Sequence, residues 1–273
     1  MTSNNPQRRA AMQKLEQRPG GVTGPAPAVL AQGVTKRFGG VVALDNVTFS
    51  ARAGEVTALV GDNGAGKSTL IRCLSGVHSP DEGGLFMNGA PVTFSGPNDA
   101  RLAGIETVHQ NLALADNLDV AANLFLGREL SGGPRSLFRL RKKPMETKAA
   151  ELIDEYGIRM PNIKAKVGAM SGGQRQGIAI ARAVGWGSDV VLMDEPTAAL
   201  GVKETGRVLE VVRSLADRGL AVVLISHNIE QVMQVSDFVW VLRGGHMIAD
   251  LRSENTNTQE VVHYITTGVG LGA

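Results

Sequence analysis

Residues 61–69, GDNGAGKST, combine three glycines with a lysine and two hydroxyl side chains. The segment fits the pattern G-x-x-x-x-G-K-S/T, between a strand-like run, EVTALVG, and a helix-like run, KSTLIRCLSG. Glycines let backbone N–H groups converge on phosphate oxygens, and a helix start adds the positive end of its dipole. Lys67 would reach the β- and γ-phosphates, and the Ser68 hydroxyl would bind Mg²⁺. We therefore predict a nucleoside triphosphate site formed by Gly61, Asp62, Asn63, Gly64, Ala65, Gly66, Lys67, Ser68 and Thr69.

An acidic pair ends the apolar run in residues 190–196, VVLMDEP. The run has the length of a buried strand, so both acids would stand at its carboxyl end, where ligands bind in open parallel sheets. Asp194 is predicted to hold Mg²⁺, directly or through water. Glu195 is predicted to polarise an attacking water, which makes it the candidate general base.

A second glycine-rich helix start occurs in residues 170–183, MSGGQRQGIAIARA. Ser-Gly-Gly at the start of a helix favours an anion, so the sequence carries two anion-binding helix starts. One chain has one nucleotide to bind. The second site therefore makes sense only if another copy supplies the nucleotide.

Together, GKST, DEP and SGGQ resemble the ATP-binding subunits of ABC transporters, over about residues 29–252. The resemblance implies ATP and Mg²⁺ as cofactors and two chains that pair head to tail. The ATP of one chain would then face the signature residues of the other, which are Ser171, Gly172, Gly173 and Gln174.

The same family pattern assigns three further residues. Gln110, in VHQN, is similar to the glutamine that touches Mg²⁺ near the membrane-subunit contact. His227, in ISHN, is similar to the histidine that faces the γ-phosphate, and Phe38, in KRFGG, resembles the aromatic residue that stacks on adenine. The resemblance thus implies a catalytic set of Glu195, His227 and Gln110 and a metal site of Ser68, Gln110 and Asp194.

Two positions depart from the family pattern. Met170 replaces the usual Leu of the signature, a volume-conserving exchange of little consequence. Gly201 follows DEPTAAL, where the family usually has an Asp that works across the dimer. Glycine cannot replace that carboxylate, so Gly201 puts the coupling between the two sites in question.

The order of elements predicts an α/β fold. Strand-like and helix-like runs alternate, which is typical of a mostly parallel sheet flanked by helices. With the resemblance, this gives a P-loop NTPase, RecA-like core with an antiparallel β portion and an inserted helical subdomain at about residues 112–175. We expect the ATP-binding domain to span residues 29–268, between a disordered tail at 1–28 and a short tail at 269–273.

Three elements are predicted inside the insertion. Asp119 would cap a helix in VAANLFLG, and Pro144 would lie near the first position of a helix that stops at Gly157. Between them, SGGPRSLFRLRKK is predicted to be a solvated loop with a basic face formed by Arg135, Arg139, Arg141, Lys142 and Lys143.

Charge, hydropathy and cysteine content limit the partners and the compartment that we expect. The 28 basic and 26 acidic residues leave a net charge of +2, which gives no electrostatic case for nucleic acid as a partner. The apolar runs have strand length rather than the length of a membrane span, and the first residues lack the apolar region of a secretory signal. Cys73 is the single cysteine and cannot form an intramolecular disulfide, which suits a reducing compartment.

The expected function is ATP hydrolysis that powers the import of a sugar. Residues 75–92 and 97–129 look like the cassettes of monosaccharide importers of the ribose, xylose and fructose type, and a single cassette is similar to the fructose type. The implied partners are membrane permease subunits and, through them, a solute-binding protein, with the chain peripheral at the cytoplasmic face of the cell membrane. Import of another solute, such as branched-chain amino acids, and a soluble ABC ATPase without a transport partner are the open alternatives.

Overall fold

The computed structural model describes residues 26–132, 136–160 and 162–270, without the side chains of 132–139. Residues 1–25 and 271–273, which make up most of the two predicted tails, lie outside the described residues. The described residues begin slightly before the predicted boundary at Val29. Ala28 is already buried, and its carbonyl accepts a hydrogen bond from the Asn88 N–H at 3.0 Å.

The strands form two main sheets and one small hairpin. In chain order they are β1 (Val29–Phe38), β2 (Val41–Ala51), β3 (Val56–Val60), β4 (Glu82–Met87), β5 (Ala90–Val92), β6 (Ile105–Val108), β7 (Ser131–Gly132), β8 (Ser136–Leu140), β9 (Val190–Asp194), β10 (Ala221–Ile225), β11 (Phe238–Arg243) and β12 (His246–Arg252).

The larger sheet has the strand order β12-β11-β3-β10-β9-β6. All its neighbouring pairs are parallel except β11 and β12, which form a hairpin that turns at Gly244-Gly245. Strands β3 and β10 are buried along their whole length, as expected for apolar runs covered on both faces. Because these strands are parallel, their carboxyl ends meet at one edge of the sheet.

The smaller sheet is antiparallel, in the order β2-β1-β4-β5. Asn88 and Gly89 connect β4 to β5 with φ of +49° and +77°, and a two-residue Asn-Gly hairpin turn needs a positive φ at both positions. This sheet is the antiparallel β portion expected from the sequence.

The helices are α1 (Lys67–Leu74), α2 (Pro97–Leu102), α3 (Val120–Leu124), α4 (Lys142–Glu155), α5 (Gly172–Val184), α6 (Val202–Asp217), α7 (Ile229–Val235) and α8 (Thr258–Thr267). Successive side chains of β10 enter different cores, since strand side chains alternate between faces. Val222 and Leu224 pack with the buried faces of α5 and α6, whereas Val223 and Ile225 pack with α1 and the antiparallel sheet. The larger sheet is therefore the middle layer.

The insertion differs in part from its prediction. Asp119 caps α3 as expected, with its carboxylate accepting from the Ala122 N–H at 2.7 Å. The predicted loop is wrong in part, because β7 and β8 pair as a short antiparallel hairpin inside it. Helix α4 begins at Lys142 rather than near Pro144, so part of the basic run forms its exposed first turn, and Gly157 follows the helix with a φ of +63°.

Candidate functional site

The phosphate-binding loop predicted from the sequence connects the end of β3 to the start of α1. Gly61 has a φ of +148°, and a Cβ there would lie 2.0 Å from the Leu242 carbonyl oxygen. Gly66 has a φ of +108°, and a Cβ there would lie 2.6 Å from the Ala43 carbonyl oxygen. Both positions need glycine because the backbone conformation is left-handed and the neighbouring backbone leaves no room for a side chain.

The loop backbone is held by its own and neighbouring hydrogen bonds. The Ala65 N–H donates to the Asp62 carbonyl at 3.1 Å, and the Gly245 N–H donates to the Ala65 carbonyl at 3.0 Å. Helix α1 has no side-chain cap at its start. Its first-turn N–H groups are therefore available to an anion.

The Lys67 ammonium folds back over this loop. Its Nζ donates to the Gly61 carbonyl at 2.7 Å and to the Asp62 carbonyl at 2.9 Å. Burial lowers the pKa of Lys67, and the nearby carboxylates of Glu195, Asp62 and Asp194 act in the opposite direction. The amine is thus placed between the loop and the acidic pair, where a phosphate oxygen could replace the two carbonyls.

The acidic pair lies at the end of β9, beside β10. Asp194 is the last residue of β9, and Glu195 follows with a φ of +51°, an uncommon conformation for a residue other than glycine. The Glu195 N–H donates to the Ile225 carbonyl at 3.0 Å, which fixes the turn against β10. An observed strained backbone of this kind is often associated with a functional position.

Glu195 contacts His227, which follows β10. The distance between Glu195 Oε2 and His227 Nδ1 is 2.8 Å, which is an ion-pair contact when the imidazole is protonated, and Oε2 has no hydrogen-bond partner among the described residues. The Glu195 side chain is 18% exposed, whereas the His227 side chain is 74% exposed. The carboxylate is therefore sheltered and the imidazole faces outward from the edge of the sheet.

The remaining predicted residues on this side lie beyond β6, at the start of α1 and at the end of β1. Gln110 lies two residues beyond β6, which pairs with β9, and its side chain is exposed. Ser68 and Thr69 lie in the first turn of α1. Phe38 ends β1 and is 44% exposed, with its ring against His78.

The signature residues occupy the start of α5. Ser171 and Gln174 form a capping box, in which the Ser171 Oγ accepts from the Gln174 N–H at 3.4 Å and the Gln174 Oε1 accepts from the Ser171 N–H at 3.0 Å. Ser171, Gly173 and Gln174 line a cavity of about 210 Å³ with residues of α6, including Glu204 and Arg207. Among the described residues that line it, none belongs to the phosphate-binding loop. One chain therefore presents the two helix starts as separate features.

Two further contacts, which no sequence signal indicates, tie the segment after β6 to α5. Arg182 donates to the Leu112 carbonyl at 2.8 Å and to the Ala113 carbonyl at 2.9 Å, and burial lowers its pKa. Arg175 pairs with Asp116 at 2.8 Å. These hydrogen bonds and this ion pair thus join the segment that carries Gln110 to the helix that carries the signature.

A resident metal cluster is not a feature of the described residues. Within residues 26–132, 136–160 and 162–270, no group of three or more His, Cys, Asp and Glu side chains could hold a metal ion. The donors at the sheet edge are the Ser68 hydroxyl, the Gln110 amide and the Asp194 carboxylate. Such a set suits Mg²⁺, which binds few protein oxygens and completes its shell with water and substrate phosphates.

The chain is similar to known proteins over most of its length. The family model described as ABC transporter matches residues 44–198. The chain is 48% identical over 234 residues to the xylose/arabinose import ATP-binding protein of Sulfolobus acidocaldarius, covering 86% of this chain and 92% of that protein. It is 46% identical over 244 residues to the fructose import ATP-binding protein of Rhizobium meliloti, covering 88% and 94%.

A third relative is about twice as long as the matched region. The ribose import ATP-binding protein 1 of Rubrobacter xylanophilus is 42% identical over 84% of this chain, which covers 45% of that protein. Among solved structures, a nucleotide-free ATP-binding cassette of an ABC transporter matches with a TM-score of 0.74 and 27% identity, covering 87% of this chain and 95% of that one. The ADP conformation of another such cassette matches with a TM-score of 0.75 and 26% identity, covering 89% and 96%.

Proposed function

The chain belongs to the ABC transporter family and is an ATPase of that family, and from this premise we propose that it powers the import of a monosaccharide. The observation that carries the proposal is the near-complete match to two relatives named as sugar import proteins, one for xylose/arabinose and one for fructose. Both relatives match over more than nine tenths of their length, so the whole cassette is shared rather than the ATP-binding motifs alone.

The edge of the larger sheet supports the proposed ATP chemistry. The phosphates lie on the loop amides and Lys67, and Glu195 orients the attacking water and accepts its proton. His227 lies 2.8 Å from the Glu195 carboxylate and is exposed enough to reach the γ-phosphate. Phe38 stacks on adenine.

Magnesium fits the donors present. Ser68, Asp194 and Gln110 would hold it, directly or through water, and the ion would neutralise charge on the β- and γ-phosphates. Glu195 is not one of these metal ligands, which leaves its carboxylate to act on the attacking water.

The membrane permease contacts the groove beside Gln110. A cavity of about 170 Å³ opens there between the segment after β6 and the end of α5. Arg128 pairs with Glu106 at 2.7 Å on its wall, and Trp186 Nε1, also on the wall, has no hydrogen-bond partner in the described part of the chain. A partner segment with an apolar body would fill the cavity. The Trp186 Nε1 donor is buried and lies out of its reach.

The chain works as a pair at the cytoplasmic face of the membrane. In a head-to-tail dimer the signature of one copy completes the nucleotide site of the other. This arrangement accounts for the separate cavity at the start of α5. No helix within the described ranges has both the length and the apolar character that a membrane span requires. The permease subunits supply the path for the sugar, and a solute-binding protein delivers it.

Deletion of the gene in its host tests the transport function. Uptake of radiolabelled xylose, arabinose, fructose, ribose, galactose and leucine is measured without a plasmid and with a plasmid copy of the wild-type chain or of Glu195→Gln. We expect the uptake of a monosaccharide to fall and to be restored by the wild-type chain but not by Glu195→Gln. Loss of amino acid uptake with intact uptake of every sugar would contradict sugar import. Unchanged uptake of all these solutes would contradict a transport role.

A further inference from the structure

The base end of the proposed nucleotide site contains a second aromatic residue. The rings of Phe38 and His78 meet edge to face, with centroids 5.2 Å apart and planes at 69°. Phe38 is 44% exposed, and His78 is only partly exposed. Aromatic pairs prefer this arrangement, in which the positive ring edge meets the negative ring face.

The chain segments that carry the two rings are locked together. Lys36 Nζ donates to Asp81 Oδ1 at 2.8 Å and to the Ser79 carbonyl at 2.9 Å, and the Arg37 N–H donates to Asp81 Oδ2 at 2.6 Å. These bonds join the end of β1 to the turn after His78. Lys36 Nζ also lies 5.7 Å from the centroid of the Phe38 ring, so the ring has charged and aromatic neighbours on the protein side.

His78 is also connected to the helix that starts at the phosphate-binding loop. Its N–H donates to the Arg72 carbonyl, in the last turn of α1, at 3.0 Å. Eight helical residues span about 12 Å. Helix α1 therefore has the phosphate-binding loop at one end and His78, the neighbour of Phe38, at the other.

We propose that His78 is a positioning residue for the nucleotide base, because it holds the Phe38 ring in the orientation that stacks on adenine. The inference rests on the proposed function, in which Phe38 binds the base. A ring exposed on one side samples several rotamers, and fixing it on binding costs entropy. His78 removes that cost in advance by bracing the ring while leaving its outer surface open.

The test measures ATP binding by calorimetry for the full chain and for His78→Ala, His78→Phe and His263→Ala. We expect His78→Ala to weaken ATP binding about two- to tenfold, the range that corresponds to one edge-to-face pair. His78→Phe keeps an aromatic edge against Phe38 and should bind ATP like the wild type. His263→Ala changes a histidine on α8, outside the proposed site, and serves as the matched control.

Inorganic tripolyphosphate separates a role at the base from a role in folding. Tripolyphosphate lacks a base, so His78→Ala should bind it with unchanged affinity. In ATP hydrolysis, His78→Ala should keep the wild-type rate at saturating ATP and show a raised KM. An equal loss of affinity for ATP and tripolyphosphate would overturn the inference, since the effect would then act through α1. Unchanged ATP binding in His78→Ala would overturn it directly.

A double-mutant cycle with Phe38→Ala tests whether His78 acts through Phe38. We expect His78→Ala to have no further effect once the Phe38 ring is removed. The same loss in both backgrounds would overturn the positioning role. If Phe38→Ala binds ATP like the wild type, the base platform and this inference both fail. The proposed ATPase function would then still stand or fall on Lys67→Ala, which tests the phosphate end alone.

Discussion

The two glycine-rich helix starts of this chain are built differently. At the start of α1, Gly61 and Gly66 adopt left-handed conformations with backbone oxygens within 2.6 Å of the missing Cβ, and no side chain caps the helix. At the start of α5, the steric need for glycine is weaker. Gly172 has only the tip of the Leu200 side chain within 2.8 Å of an added Cβ, and Ser171 and Gln174 cap the helix themselves.

Because of this difference, the start of α1 is a preformed anion site, whereas the start of α5 is already capped by its own side chains. The loop before α1 is fixed by backbone contacts, and within the described residues no side chain caps its first-turn amides. The loop backbone can therefore take a phosphate once the Lys67 side chain turns away from the Gly61 and Asp62 carbonyls. The Ser171 hydroxyl is already a hydrogen-bond acceptor in a long, 3.4 Å cap and stays exposed. In the proposed head-to-tail dimer, it would turn to the phosphate that the other copy supplies.

The largest effect on ATP hydrolysis should come from removing Glu195, the proposed general base. Glu195→Gln keeps the shape of the side chain but cannot accept a proton from water. We expect steady-state hydrolysis to fall by about 10²-fold or more, with ATP binding retained. Phosphate release and ATP binding are measured on the same preparation. Near-normal hydrolysis would contradict the role given to Glu195.

Two glycines of the phosphate-binding loop test whether neighbouring backbone atoms exclude a side chain there. Gly61→Ala places a methyl group 2.0 Å from the Leu242 carbonyl oxygen and should lower the free energy of unfolding by about 3 kcal/mol and abolish ATP binding. Gly64→Ala is the matched control, because it has a φ of +81° but no atom within 4 Å of the added Cβ. It should cost about 1–2 kcal/mol, from the backbone conformation alone. Equal urea-unfolding midpoints for the two variants would disprove the steric argument.

Gly201 tests how the two sites are coupled. It precedes α6 with a φ of −71°, its N–H lies 3.5 Å from Glu204 Oε2, and an added side chain has room. Gly201→Asp should fold and change the cooperativity or rate of ATP hydrolysis several-fold, since coupling energies are about 1–3 kcal/mol. The measurement is the hydrolysis rate against ATP concentration, with the membrane subunits present. Superimposable curves would show that the missing carboxylate does not matter.

The smallest effect is expected at the signature cap. Ser171→Ala removes the side-chain acceptor of the capping box and should lower the free energy of unfolding by about 1 kcal/mol. ATP binding to the isolated chain should not change, because the loop before α1 is a separate feature. Ser171→Asn, which retains a good cap, is the control for stability. Weaker ATP binding in Ser171→Ala under conditions where the chain is monomeric would contradict the separation of the two helix starts.

The functional edge could be predicted from the sequence because each element there is a short apolar strand that ends in polar residues. Strands β3, β9 and β10 all lie where the apolar runs indicated. The contact between Glu195 and His227 could not be predicted, because it depends on β9 and β10 being neighbours and on the left-handed backbone of Glu195. Neither feature leaves a local signal.

Other elements escaped prediction because tertiary contacts stabilise them. Helix α8, TQEVVHYITT, is rich in β-branched residues of low helix propensity, and the Arg243 guanidinium caps its last carbonyls at Thr266 and Thr267. The β7–β8 hairpin lies in a stretch whose glycines and basic residues indicated a loop. The Arg182 bonds to the segment after β6 likewise join residues about 70 positions apart.

The most direct test of the two-copy site is complementation between two inactive variants. Lys67→Ala loses the loop side and keeps the signature, whereas Ser171→Arg blocks the signature and keeps the loop side. Each alone should be inactive, but the mixture should recover about a quarter of the wild-type rate, because half of randomly formed dimers are mixed and each contains one intact site of two. A mixture no more active than the sum of its parts would contradict the account that the signature of one copy completes the ATP site of the other.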